Sequence, residues 1–87
     1  MIEEMPIPMV EYNYTVLFEP AEEGGFVATC PALPGLVTEG DTLEEARAMA
    51  QDAIRAYLEI LHKDHLPILV DRSPVTEEIR VLLPESA

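Results

Sequence analysis

Eighty-seven residues with a formal net charge of −12, built from seventeen acidic residues against five lysines and arginines, describe one small and strongly acidic domain spanning residues 1–87. So few cations leave little means of displacing counterions from nucleic-acid phosphate, which disfavours direct nucleic-acid binding and favours association with a basic protein. Hydrophobic residues make up 48% of the chain, enough for a modest core; no run of about eighteen apolar residues suggests a membrane span, and Met1-Ile2-Glu3-Glu4 does not resemble a signal peptide, so a cytoplasmic protein is expected.

Residues 1–10 contain Met5-Pro6-Ile7-Pro8-Met9, whose alternating prolines favour an extended arm. The domain core is expected over about residues 12–84. Tyr12 to Phe18 alternates, with Tyr12, Tyr14, Val16 and Phe18 on one side and Asn13, Thr15 and Leu17 on the other, predicting a strand that Pro20 ends. Gly24 and Gly25 allow the positive φ of a tight turn after Glu22-Glu23, and a second strand is expected from Phe26 to Cys30. Pro31, Pro34 and Gly35 mark a corner, a third strand is expected over Gly35 to Glu39, and Gly40 marks the bend before a helix.

Thr42 and Glu45 have the spacing of a capping box, in which each side chain bonds the other residue's backbone N–H, and Asp41, Glu44 and Glu45 suit the positive end of the helix dipole. The helix is predicted from Leu43 to about His62. Its apolar stripe comprises Leu43, Ala46, Met49, Ala50, Ala53, Ile54, Tyr57, Leu58 and Leu61, and the small alanines permit close approach to a sheet. Arg55 with Glu59, and Glu59 with Lys63, are spaced for ion pairs along the polar side. Pro67 prevents simple continuation of the helix. Beyond the turn formers Asp71, Ser73 and Pro74, the alternation of Ile79, Val81 and Leu83 predicts a last strand, parallel in the same sheet by a right-handed crossover.

These elements give an α+β fold of order β-β-β-α-β, with one helix on one face of a mixed four-stranded sheet. The uncovered face requires a second copy or another partner, so a homo-oligomer is expected, a dimer or tetramer, with Met5, Ile7, Tyr12, Tyr14 and Phe18 as candidate interface residues. The chain's single cysteine, Cys30, sits in an apolar strand pattern and reads as a small buried residue. His62, Asp64 and His65 have ligand chemistry, but so local a group at a helix end is weak, the histidines read instead as cation-forming side chains favoured at the negative dipole end, and no metal or other cofactor is expected. Adjacent carboxylates point in different directions, and no nucleophile triad or phosphate loop is present, so no catalytic residue is assigned.

Tyr14-Thr15-Val16, Glu23-Gly24-Gly25-Phe26-Val27-Ala28, Pro31-Ala32-Leu33-Pro34-Gly35 and Thr38-Glu39-Gly40-Asp41-Thr42-Leu43-Glu44-Glu45-Ala46, followed by Ala50, Asp52, Ala53 and Ile54, together resemble the HicB family of antitoxins over roughly residues 12 to 60. The resemblance implies a truncated ribonuclease H-like fold and an antitoxin that neutralises HicA, a small basic toxin that cleaves messenger RNA. An acidic protein suits that partner because it offers the toxin's cationic surface an alternative to RNA. Glu22, Glu23, Asp41, Glu44, Glu45 and Asp52 are the candidate toxin contacts, chosen by charge and position. Many relatives carry an acidic residue where Ala32 stands and a cysteine where Leu36 stands, and many add a DNA-binding segment that residues after the last predicted strand do not resemble, so operator binding is not expected. The alternatives are a stand-alone oligomeric binding module and, more remotely, a degenerate nuclease, whose metal site would need carboxylates on the first and last strands, where Thr15-Val16-Leu17 and Ile79-Arg80-Val81 stand instead.

Overall fold

The computed structural model describes residues 8–85. Three short strands, β1 (Leu17–Pro20), β2 (Phe26–Thr29) and β3 (Val37–Gly40), form an antiparallel sheet in the order β1-β2-β3, and one helix, α1 (Leu43–Lys63), follows. The expected mixed four-stranded sheet is therefore corrected to three antiparallel strands among the described residues. Residues 79–83 pair with no strand, and Val81, Leu82 and Leu83 are largely exposed.

The first hairpin closes where the glycines permit it. Gly24 and Gly25 have φ of +97° and +76°. Ala21 N–H donates to the Gly25 carbonyl at 3.0 Å, and Gly24 N–H donates to the Ala21 carbonyl at 3.1 Å. Pro20 does not stop β1 but is its last paired residue, opposite Phe26. The Ala21–Gly25 bond sets the alternation of the ladder, making Glu19–Val27 and Leu17–Thr29 the hydrogen-bonded pairs. Pro20 thus stands where its nitrogen faces the sheet edge and no ladder donor is lost. The strand predicted from Tyr12 begins only at Leu17, because β2 ends at Thr29 and leaves the preceding residues without a ladder partner.

Past β2 the chain folds inward. Leu33 N–H donates to the Cys30 carbonyl, Leu36 N–H donates to the Leu33 carbonyl, and Gly35 takes φ +85°. These turns end β2 one residue earlier than expected and start β3 at Val37. They also bury Cys30, Ala32, Leu33 and Leu36 as one cluster, against which Tyr14, Ala53, Ile54, Tyr57 and Leu58 pack. Leu33 is fully buried, and the Tyr57 hydroxyl donates to the Pro34 carbonyl at 3.0 Å.

Register divides the sheet into two faces. Phe18, Ala28 and Thr38 stand in one row, with Pro20, Phe26 and Gly40 in the next, and this face meets the helix. At Gly40 the contact is backbone to backbone: a Cβ there would lie 2.8 Å from Ala46 Cα. Ala46 and Ala50 are buried accordingly, while Leu43 and Met49, at the margins of the predicted stripe, remain substantially exposed.

Thr42 caps the helix, its hydroxyl accepting Glu45 N–H at 3.0 Å. The reciprocal half of the capping box is not formed among the described residues, and the Glu45 carboxylate stays exposed. The C-terminus is closed by a Schellman arrangement: His65, at φ +57°, donates its N–H to the His62 carbonyl, and Leu66 N–H donates to the Leu61 carbonyl. The helix is therefore stopped before Pro67. The expected pairs of Glu59 with Arg55 and Lys63 are absent among the described residues; Arg55 instead lies 3.8 Å from the exposed Asp52, a contact of little energetic weight.

Candidate partner-binding surface

The hairpin and the helix start meet at one end of the molecule. A Cβ on Gly25 would stand 3.1 Å from Asp41 Cα, so the turn carrying Glu22 and Glu23 lies against the β3–α1 junction carrying Asp41, Glu44 and Glu45. All of these carboxylates are exposed. The unused N–H groups of the first helical turn keep this end favourable to nearby negative charge, which lets the carboxylates gather there. Asp52 is separate. Eight residues beyond Glu44 at 1.5 Å each place it about 12 Å farther along the helix, where it faces Arg55.

Register adds two carboxylates that sequence reasoning did not select. Glu19 and Glu39 both oppose Val27 on the sheet face turned away from the helix. In the neighbouring row of that face stand Leu17, Thr29 and Val37, with Val37 65% exposed. The open face therefore combines a narrow apolar strip with flanking acidic side chains, continuous with the acidic end. The alternation of β1 pointed to the two faces, but only the pairing register placed Glu19 and Glu39 on either side of Val27.

Of the predicted interface residues, Met5 and Ile7 lie outside the described residues. Tyr14 and Phe18 are half-buried on the helix side of the sheet, where they line a groove of about 440 Å³ with Val16, Ala50 and Ile54. Tyr12 is more exposed and borders both this groove and a more apolar one with Met9, Val10, Leu58 and Ile68. The predicted turn residues Gly24, Gly25, Pro31, Pro34 and Gly35 occupy turns and Thr42 caps the helix, whereas Gly40, expected in the bend, is the last paired residue of β3, opposite Phe26.

Asp71 holds the segment after the helix against the start of β1. Its carboxylate accepts Thr15 N–H at 2.9 Å, the Thr15 hydroxyl at 2.8 Å and the Ser73 hydroxyl at 3.2 Å. These bonds, the Thr15 amide foremost, hold its pKa below the ordinary carboxylate value. The Tyr14 hydroxyl donates to the Leu69 carbonyl nearby, and burial raises its pKa. Burial likewise pushes the Cys30 thiol up, only partly countered by the Ala32 and Leu33 amides, so the thiol is held in its less nucleophilic form. No group of three or more His, Cys, Asp and Glu suited to holding a metal ion occurs among the described residues. No helix among them is long and apolar enough to cross a membrane.

Residues 14–80 match the family model described as HicB_like antitoxin of bacterial toxin-antitoxin system, and the chain belongs to that family. A UPF0150 protein of Synechocystis sp. is 46% identical over 61 residues, covering 70% of this chain and 77% of that protein. A UPF0150 protein of Thermoplasma acidophilum is 44% identical over 69 residues, covering 79% and 96% respectively. Antitoxin HicB 1 of Photorhabdus laumondii is 44% identical over 53 residues, which are 61% of this chain and 34% of that antitoxin. Membership of this family supports an antitoxin role in general and, with it, a toxin as partner.

Proposed function

We propose that this protein is the antitoxin of a toxin-antitoxin pair, acting in the cytoplasm without catalysis of its own by binding and neutralising a small basic HicA-like toxin that cleaves messenger RNA. The observation that carries the reading is the gathering of Glu22, Glu23, Asp41, Glu44 and Glu45 at one end of a domain of this family. Cationic side chains that would engage RNA phosphates find carboxylates there instead, and the long-range field of a protein at net charge −12 speeds encounter with a basic partner. Glu19 and Glu39 extend the same charge across the open sheet face, where Leu17, Val27 and Val37 supply apolar contact.

The test is to co-express the protein with whatever small basic protein is encoded beside it, purify the pair and assay messenger-RNA cleavage. A tight complex that silences cleavage is expected. Reversing Glu22 and Glu23 to lysine should weaken the complex at least tenfold, mainly through slower association; unchanged affinity would remove the hairpin from the interface. The alternative is a stand-alone oligomeric binding module of the same family; a UPF0150 relative is matched over 96% of its length by this chain. A stable oligomer that forms no complex with that neighbouring protein would decide for it.

A further inference from the structure

The helix packs on β3 and, less extensively, on β2, leaving the helix side of β1 only partly roofed. The groove of about 440 Å³ lined by Val16, Phe18, Ala50 and Ile54, with Arg47 and Gln51 on its helix side, is that unfinished part of the core. The edge of β1 is unfinished too. With Leu17 and Glu19 bonded to β2, the backbone N–H and C=O of Phe18 point away from the sheet and have no ladder partner among the described residues.

Beyond Asp71 the chain carries the complementary features. Ser73 adopts φ +46°, its hydroxyl bonded to Asp71, and from there the chain is extended, without backbone hydrogen bonds among the described residues through Glu85. Val75, Ile79, Val81, Leu82 and Leu83 are between 70% and 87% exposed along it. This arm contributes to a longest dimension of 82 Å and a radius of gyration of 18.8 Å, against about 12 Å for a compact domain of this length.

The arm does not fold back on its own β1: Asp71 is tied to Thr15, but beyond Ser73 the chain runs unpaired among the described residues, with Val75, Ile79, Val81, Leu82 and Leu83 exposed. We propose that the arm, residues 74–83, instead pairs with the β1 edge of a second copy, placing Ile79, Val81 and Leu83 in that copy's groove between β1 and α1. Arg80, the one cation between Pro74 and Pro84, then falls on the opposite side of the added strand, the side that carries Glu19 in β1. Each copy has the same arm and the same open edge, so reciprocal exchange closes a two-fold dimer and leaves neither feature unused.

The experiment is an equimolar mixture of ¹⁵N-labelled and ¹³C-labelled full-length chains, read for isotope-filtered nuclear Overhauser effects and, separately, for mass by light scattering. A dimer with contacts between copies from Val81 and Leu83 to Phe18 and Ile54 is expected. Contacts confined to one copy, a dimer lacking them, or a monomer with unprotected arm amides would each overturn the proposal. As a second measurement, Val81→Arg should raise the dimer dissociation constant at least tenfold while helical circular dichroism is retained, because it brings a second cation into a groove that Arg47 already lines. An unchanged constant would overturn it as well. The readout involves no toxin, so it succeeds or fails independently of the antitoxin reading.

Discussion

Gly40 shows how one residue sets a distance. Its lack of a side chain lets β3 and the first turns of the helix touch through backbone, with Ala46 directly opposite. Gly40→Ala should therefore destabilise the fold by about 1–3 kcal/mol, since the neighbouring atoms are backbone and cannot rotate aside; urea unfolding followed by circular dichroism measures it. Asp71 acts through charge. Its pKa is lower in the folded chain than in the unfolded one, so its stabilisation is complete above the ordinary carboxylate pKa and is lost as pH falls through the depressed folded value. In urea titrations across acidic pH, the stability difference between the wild-type protein and Asp71→Asn should shrink steadily on acidification. A constant difference would mean that the carboxylate's charge is not what matters.

Among the elements, the corner between β2 and β3 contributes more than its turn-forming sequence suggests. Pro31, Pro34 and Gly35 were legible as a bend, yet the same bend inserts Leu33 into the centre of the core beneath Ile54, Tyr57 and Leu58. Leu33→Ala should cost about 2–5 kcal/mol, more than truncation of any residue on the exposed helix side. The check is a mutant series measured by chemical denaturation. At the other end of α1, His65 accepts a left-handed conformation that lets the chain turn back toward the segment before β1 and bring Asp71 to Thr15. That turn sets where the C-terminal arm begins.

For the whole molecule, the dominant quantity is a net charge of −12 on a chain of 87 residues. Salt should act in opposite directions on its two proposed associations. Raising ionic strength from about 0.05 to 0.5 M shortens the Debye length several-fold, which should weaken binding to a basic toxin and strengthen pairing of two acidic copies. Calorimetry of the first and sedimentation equilibrium of the second give the two slopes. Equal signs would contradict the assignment of charge attraction to one interface and apolar burial to the other.

The helix, its Thr42 cap, the glycine hairpin, the Pro-Gly corner and the acidic character were written in local sequence, because each rests on dihedral preference, 3.6-residue periodicity or composition. Tertiary structure decided what local patterns do not carry. Register placed Glu19 and Glu39 on the open face and brought the hairpin carboxylates beside those of the helix start, since that depends on which residues pair across strands. It also decided the fate of residues 79–83. Their alternation announces a strand equally well in any sheet, but which edge it pairs with is set by tertiary contacts, and beyond the Asp71 anchor these residues run exposed and pair with none of the described strands.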